Sequence, residues 1–205
     1  MTHPGRIEPN ELCDSGISQI TPRRHVVETW NTIITARGDR WPDARQALRA
    51  LGRVQRTGFY NVLAMEVDAP EGFLGRLEQL SADNPALIGS VASVFTAARC
   101  FDFSSRAEFE SKAREGALAW VPQLAGKSFH VRIHRRGRQP MFASPQEERA
   151  LAEALLVAIR DTGNPAHIRF DDPDAIVLIE TLRGRAGMAL FTRDDYRRHP
   201  LLAAH

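Results

Sequence analysis

Lysine is almost absent from this chain, although the chain is not short of positive charge. Only Lys112 and Lys127 are lysines, and the other 25 of the 27 basic residues are arginine. Cysteine is equally sparse. Cys13 and Cys100 are the only two, too few for a disulfide framework or a four-ligand metal site. No run approaches the ~20 apolar residues of a membrane-spanning helix, and the N-terminus lacks the basic-then-apolar plan of a secretory signal. These absences predict a cytoplasmic protein with no membrane contact. Catalytic signatures are missing too. The sequence has no Walker phosphate loop, no Gly-x-Gly-x-x-Gly turn, no Gly-x-Ser-x-Gly elbow, no Cys-x-x-Cys pair and no His-x-Glu deaminase motif. The residues therefore predict no enzyme, no catalytic residues, no metal and no cofactor. His130 and His134 lie four apart on one strand face with no acid or cysteine among them, which speaks against a shared metal.

What remains is an ordinary globular composition, 43% hydrophobic and 25% charged over 205 residues, enough for one large or two small domains. The formal net charge is only +2, so any anion-binding role must come from the distribution of charge. The arginine excess has a genomic explanation, base composition, and a functional one, bidentate recognition of phosphate. Composition does not separate the two.

The most informative stretch is Lys127 to Arg138, Lys-Ser-Phe-His-Val-Arg-Ile-His-Arg-Arg-Gly-Arg. Its period-two alternation predicts a half-buried strand with Phe129, Val131 and Ile133 on the core side. Ser128, His130, Arg132 and His134 take the other side. Lys127, Arg132, Arg135, Arg136 and Arg138 give five positive charges and no acid within twelve residues. One reading is a strand with a solvated outer face. The other is a phosphate-binding surface, favoured because these charges repel one another unless an anion is near. Arg183 and Arg185, at a tight turn, form a second basic patch. Arg197, Arg198 and His199 form a third, diluted by Asp194 and Asp195, and Arg37, Arg40, Arg45 and Arg49 are candidates for a fourth. Aromatics interleaved with these arginines are scarce, Phe142 being the nearest candidate. That favours reading the shape and phosphates of a folded RNA over stacking along a single strand. Asp171, Asp172 and Asp174 surround Pro173 and read as a turn rather than a catalytic acidic cluster.

The order of elements is a mobile tail over 1–24 and then a β-α-β-β-α-β series over 25–100. The series takes strands over 25–36, 53–57, 59–67 and 91–98, with helices over 42–51 and 70–80. Residues 101–105 read as a junction. A second unit over 101–205 follows, with a helix capped by Ser105 and Glu108, the basic strand, and a helix from a Ser144–Glu147 capping box. Short strand 167–170 and the strands 175–182 and 186–192 complete it. The predicted class is α+β, a ferredoxin-like domain followed by an α/β domain.

From about Phe101 to Phe191 the chain resembles a THUMP domain. The resemblance is carried by the helix 109–124, the strand Lys-Ser-Phe-His-Val-Arg-Ile-His-Arg-Arg-Gly, the helix from Ser144, and the hairpin from Asp-Asp-Pro-Asp-Ala-Ile-Val-Leu-Ile-Glu through Ala-Gly-Met-Ala-Leu. Residues 25–100 are similar to the ferredoxin-like domain that precedes THUMP. Ile-Ile-Thr-Ala-Arg-Gly at 33–38 is similar to the opening strand of the stand-alone THUMP adaptors of tRNA cytidine acetylation. The resemblance implies a non-catalytic tRNA-binding protein that grips the acceptor stem and 3′ CCA end and presents tRNA to a modification enzyme, with a cytidine acetyltransferase as the candidate. Because the chain ends at His205 without a fused catalytic motif, it is expected to be of the stand-alone adaptor type. Carried over by position, the RNA-binding candidates are Lys127, His130, Arg132, His134, Arg135, Arg136, Arg138, Ser144, Arg183, Arg185 and Arg37. The alternative is a protein-interaction module whose basic strand binds an acidic partner protein.

Overall fold

The computed structural model describes residues 29–137 and 143–202. The first unit runs β1 (Thr32–Ala36), α1 (Trp41–Leu48), β2 (Arg53–Arg56), β3 (Val62–Glu66), a 3-10 turn at Pro70–Gly72, α2 (Phe73–Asp83), α3 (Pro85–Ser90) and β4 (Val91–Thr96). Its sheet has the order β2-β3-β1-β4, every neighbouring pair antiparallel. The β-α-β-β-α-β order expected from the sequence is present, with one addition. Asn84-Pro85 does not simply break the chain. Pro85 sits in the first turn of the short helix α3, where a missing N–H costs nothing. Strand β1 is apolar at consecutive positions because both of its faces are covered. Ile34 and Ala36 meet α1 and α2 through Leu48, Phe73 and Leu77, while Ile33 faces the other way.

The second unit runs β5 (Arg99–Asp102), α4 (Arg106–Leu118), α5 (Val121–Leu124), β6 (Ser128–Arg136), α6 (Ser144–Arg160), β7 (His167–Ile168), β8 (Ala175–Leu182), β9 (Arg185–Thr192) and α7 (Arg193–Arg198). Its sheet order is β5-β9-β8-β6-β7. Residues read as a junction thus begin as a strand, since β5 pairs with β9 along Arg99–Asp102. Strands β6 and β8 are parallel and joined through α6, the crossover a parallel pair requires. Helices α4 and α6 cover one face, where Phe109, Leu151, Leu155 and Ile159 pack on Phe129, Val131, Ile133, Val177 and Ile179. Ser105 caps α4 as expected, its hydroxyl accepting from the Glu108 N–H.

The opposite face of the second sheet packs on the first. Ile176, Leu178, Ala189 and Phe191 share one core with Trp30, Ile33, Val62, Ala64 and Phe95. This explains why β8 is buried along its whole length. It also explains Gly187, where an added Cβ would stand 2.9 Å from Trp30 and from Ala97 and 3.1 Å from Phe95. No helix among the described residues is long and apolar enough to cross a membrane.

Candidate nucleic-acid interface

Strand β6 carries the cations, and its neighbours decide what each can do. The parallel register sets His134 opposite Glu180 and Arg136 opposite Leu182. Glu180 is 1% exposed. It accepts from His134 Nδ1 at 3.0 Å, and from Arg136 Nε at 3.1 Å and Nη2 at 3.3 Å. The face read as free of acid therefore holds a buried carboxylate supplied by the adjacent strand. Glu180 aims both side chains and partly offsets the Arg136 charge. Part of the repulsion that favoured an external anion is answered inside the protein.

Arg135 leans the other way. Its Nε donates to Ser144 Oγ at 2.7 Å, tying the end of β6 to the first turn of α6. Ser144 is the first helical residue and not the cap. Ala143 holds the cap position, with no side-chain hydrogen bond. The Ser144–Glu147 capping box is therefore absent, because Ser144 is engaged by Arg135 and Glu147 is buried against Arg106 at 2.8 Å. Arg132 lies 3.9 Å from Glu148 Oε2, and Glu148 Oε1 accepts the Ile133 N–H at 2.8 Å.

Arg183 joins the same end. Its backbone N–H donates to the Arg136 carbonyl at 3.0 Å, and its Nη2 reaches the Thr57 carbonyl at 3.5 Å in the turn between β2 and β3. The turn is held by Gly58 and Asn61, both at positive φ. It presents Tyr60, 75% exposed, and Arg56, whose guanidinium stacks 4.0 Å from the Trp41 ring centroid. One rim thus gathers Arg135, Arg136, Ser144, Arg183 and the Arg56–Tyr60 turn from both units. Arg138 and Phe142 lie outside the described residues.

The other candidates sit elsewhere. Lys127 precedes β6, about 26 Å from Arg135 at the usual rise of a strand. His130 is 2% exposed, not on an open face. Its Nδ1 donates to the Arg169 carbonyl at 3.0 Å, and its ring lies 5.4 Å from that of Phe170. Burial pushes its pKa below the usual imidazole value, against the bond to the Arg169 carbonyl, which raises it, and the Arg132 charge adds to the lowering. Arg185 holds the two units together, donating to the Trp30 carbonyl at 3.0 Å and to Asp102 at 2.9 Å. Arg37 is exposed on the first sheet and donates to the Val91 carbonyl at 2.9 Å. The Asp171–Asp174 turn is a structural joint. Asp174 accepts from the Ser128 N–H and hydroxyl, and these bonds hold its carboxyl below the usual range.

Sequence reasoning missed Glu180, Tyr60 and Phe170. Glu180 left a trace as the lone acid in the apolar run 175–182. Nothing in the sequence marks Tyr60 or Phe170 as exposed.

No protein-family model matches the sequence, and no curated protein matches it. Solved structures do. PH1313 from Pyrococcus horikoshii Ot3 aligns over 78% of this chain and 54% of its own, with TM-score 0.55 at 13% identity. TrmN from Thermus thermophilus aligns over 78% and 44%, with TM-score 0.51 at 22% identity. A 4-thiouridine synthetase solved in complex with RNA and ATP aligns over 78% and 40%, with TM-score 0.51 at 12% identity. The likeness is one of fold, and this chain spans about half or less of those chains. The comparison corrects one expectation. The absence of catalytic motifs pointed away from an enzyme, yet this arrangement of elements recurs inside a synthetase of more than twice the aligned length. The motifs missing here are no ground for a non-enzymatic assignment.

Proposed function

We propose that this chain is the tRNA-grasping part of a tRNA-modifying enzyme system. In this reading the first sheet with its helices is a ferredoxin-like unit and the second is a THUMP domain, acting in the cytoplasm. Together they hold the acceptor stem and 3′ CCA end and present the tRNA for modification. The observation that carries the reading is the rim itself. Arg135, Arg136, Ser144 and Arg183 converge at one end of the second sheet, and the Arg56–Tyr60 turn of the first sheet completes the same edge. An RNA backbone laid along this edge meets guanidinium groups already oriented by Ser144 and Glu180. Such preorientation lowers the ordering penalty of binding. The 4-thiouridine synthetase with bound RNA lends support through its fold.

The test is fluorescence anisotropy over a salt series. It uses a labelled acceptor minihelix ending in CCA, the same minihelix without CCA, and a DNA duplex. Preference for the CCA-ended RNA, with log Kd rising linearly in log salt, is expected. Equal binding to all three refutes the reading. Failure to bind any, with capture of an acidic polypeptide instead, turns the rim into a protein-docking surface.

A further inference from the structure

A cavity of about 450 Å³ opens between α6 and the outer edge of β6. Its walls include His130, Val131, Glu148, Arg149, Ile168 and Phe170. Strand β7 covers β6 only at Ser128 and Phe129, and one more bond, Arg169 N–H to the Phe129 carbonyl, closes that stretch. Beyond it the chain turns away and leaves Phe170 standing at the cavity, 71% exposed. Phe170 is held there. The carbonyl of Arg169 is fixed by His130, and the His130 ring backs the phenyl ring at an interplanar angle of 30°.

The helical wall adds carboxylates at Glu148 and Glu153 and a guanidinium at Arg149. The cavity also reaches Pro145, next to Ser144 and its partner Arg135. Its Pro145 end therefore adjoins the residue that Arg135 holds on the rim. An aromatic face, edge acceptors for an exocyclic amino group and the Arg149 guanidinium match a nucleobase on a phosphate backbone. An added peptide strand fits less well, because the Ile133 N–H it would use on this edge is already taken by Glu148.

We infer that this cavity seats an unpaired nucleobase stacked on Phe170, belonging to the RNA whose phosphates meet the rim. The inference rests on the tRNA-binding reading. Two minihelices with the same duplex test it, one blunt and one with an unpaired 3′ tail carrying 2-aminopurine at successive positions. They are titrated against the wild type, Phe170→Leu and Phe170→Trp. Leucine keeps an apolar cover over His130 and removes the π face. The expected result is a roughly tenfold or greater loss of affinity for the tailed RNA in Phe170→Leu, no change for the blunt RNA, and full retention in Phe170→Trp. The 2-aminopurine fluorescence should fall on binding the wild type and not on binding Phe170→Leu. Undiminished affinity of Phe170→Leu for the tailed RNA, with the same quenching as wild type, overturns the inference and leaves the tRNA reading standing. Failure of the wild type to bind either RNA removes both.

Discussion

Glu180 and Arg136 should be strongly coupled, and a double-mutant cycle measures how strongly. The carboxylate is 1% exposed, whereas the Arg136 side chain is 24% exposed. Removing one partner therefore has unequal effects. In Arg136→Met the buried carboxylate keeps His134 and loses the guanidinium, and a buried charge deprived of its main partner costs about 3 kcal/mol. In Glu180→Met the guanidinium can turn toward water, and the loss is about 1–2 kcal/mol. The double variant leaves no buried charge without its partner, and methionine fills similar volume at both positions. Its loss should be only about 1–2 kcal/mol. The interaction energy is then about 3 kcal/mol, read from urea denaturation of the four proteins at pH 7. The same difference appears as about 6–12 °C between the melting temperatures of Arg136→Met and wild type. Additive losses, with coupling below about 0.5 kcal/mol, would refute the clamp. Arg136 would then be a solvated cation, as the alternation of the strand alone suggests.

Three further outcomes follow from the same geometry. Arg135→Ala with Arg183→Ala should weaken RNA binding and reduce the salt slope by about one phosphate contact per arginine, while Lys127→Ala, at the far end of β6, should leave both unchanged in the same anisotropy assay. Glu147 is buried between α4 and α6, and burial, reinforced by the neighbouring Glu110 carboxylate, raises its pKa above 4.5 in spite of Arg106. The folded state thus binds this proton more tightly than the unfolded chain, so its contribution to stability is full below pH 4.5 and fades as pH rises through the raised value. Glu147→Gln should lose this fading, and stability–pH curves that stay parallel in wild type and variant would contradict it. Gly187→Ala places a methyl 2.9 Å from Ala97 Cβ and 2.9 Å from Trp30 Cζ3. It should destabilise by about 1–3 kcal/mol through overpacking at the joint of the two sheets, measured by urea denaturation.

Most of the fold was legible because each element carried a local signal. The alternation of β6, the Ser105 cap and the apolar run of β8 each depend on residues a few positions apart. The departures are tertiary. Pro85 starts a helix rather than ending structure, because α3 has α1 and α2 to pack against. Residues 99–102 are only half-buried and of mixed polarity. They become a strand because β9 offers an edge at that register. Ser144 leaves the cap position because a guanidinium nine residues earlier in the chain takes its hydroxyl.

The candidate site was legible as a set of charges and illegible as an arrangement of them. Charge counting along β6 treats Arg132, His134, Arg135 and Arg136 alike. The sheet register separates them by placing one acid, 46 residues away from His134, beneath two of the four. A cation held on a buried carboxylate serves mainly to organise the rim, and substituting it perturbs stability together with binding. Arg135 and Arg183 are oriented instead by the Ser144 hydroxyl and the Thr57 backbone carbonyl. The distinction tells which substitutions test RNA contact cleanly. Loss of binding in an Arg136 variant is ambiguous, because the rim depends on the Glu180 clamp. Loss of binding in the Arg135 and Arg183 variant, with an unchanged melting temperature, points to the phosphate contact alone.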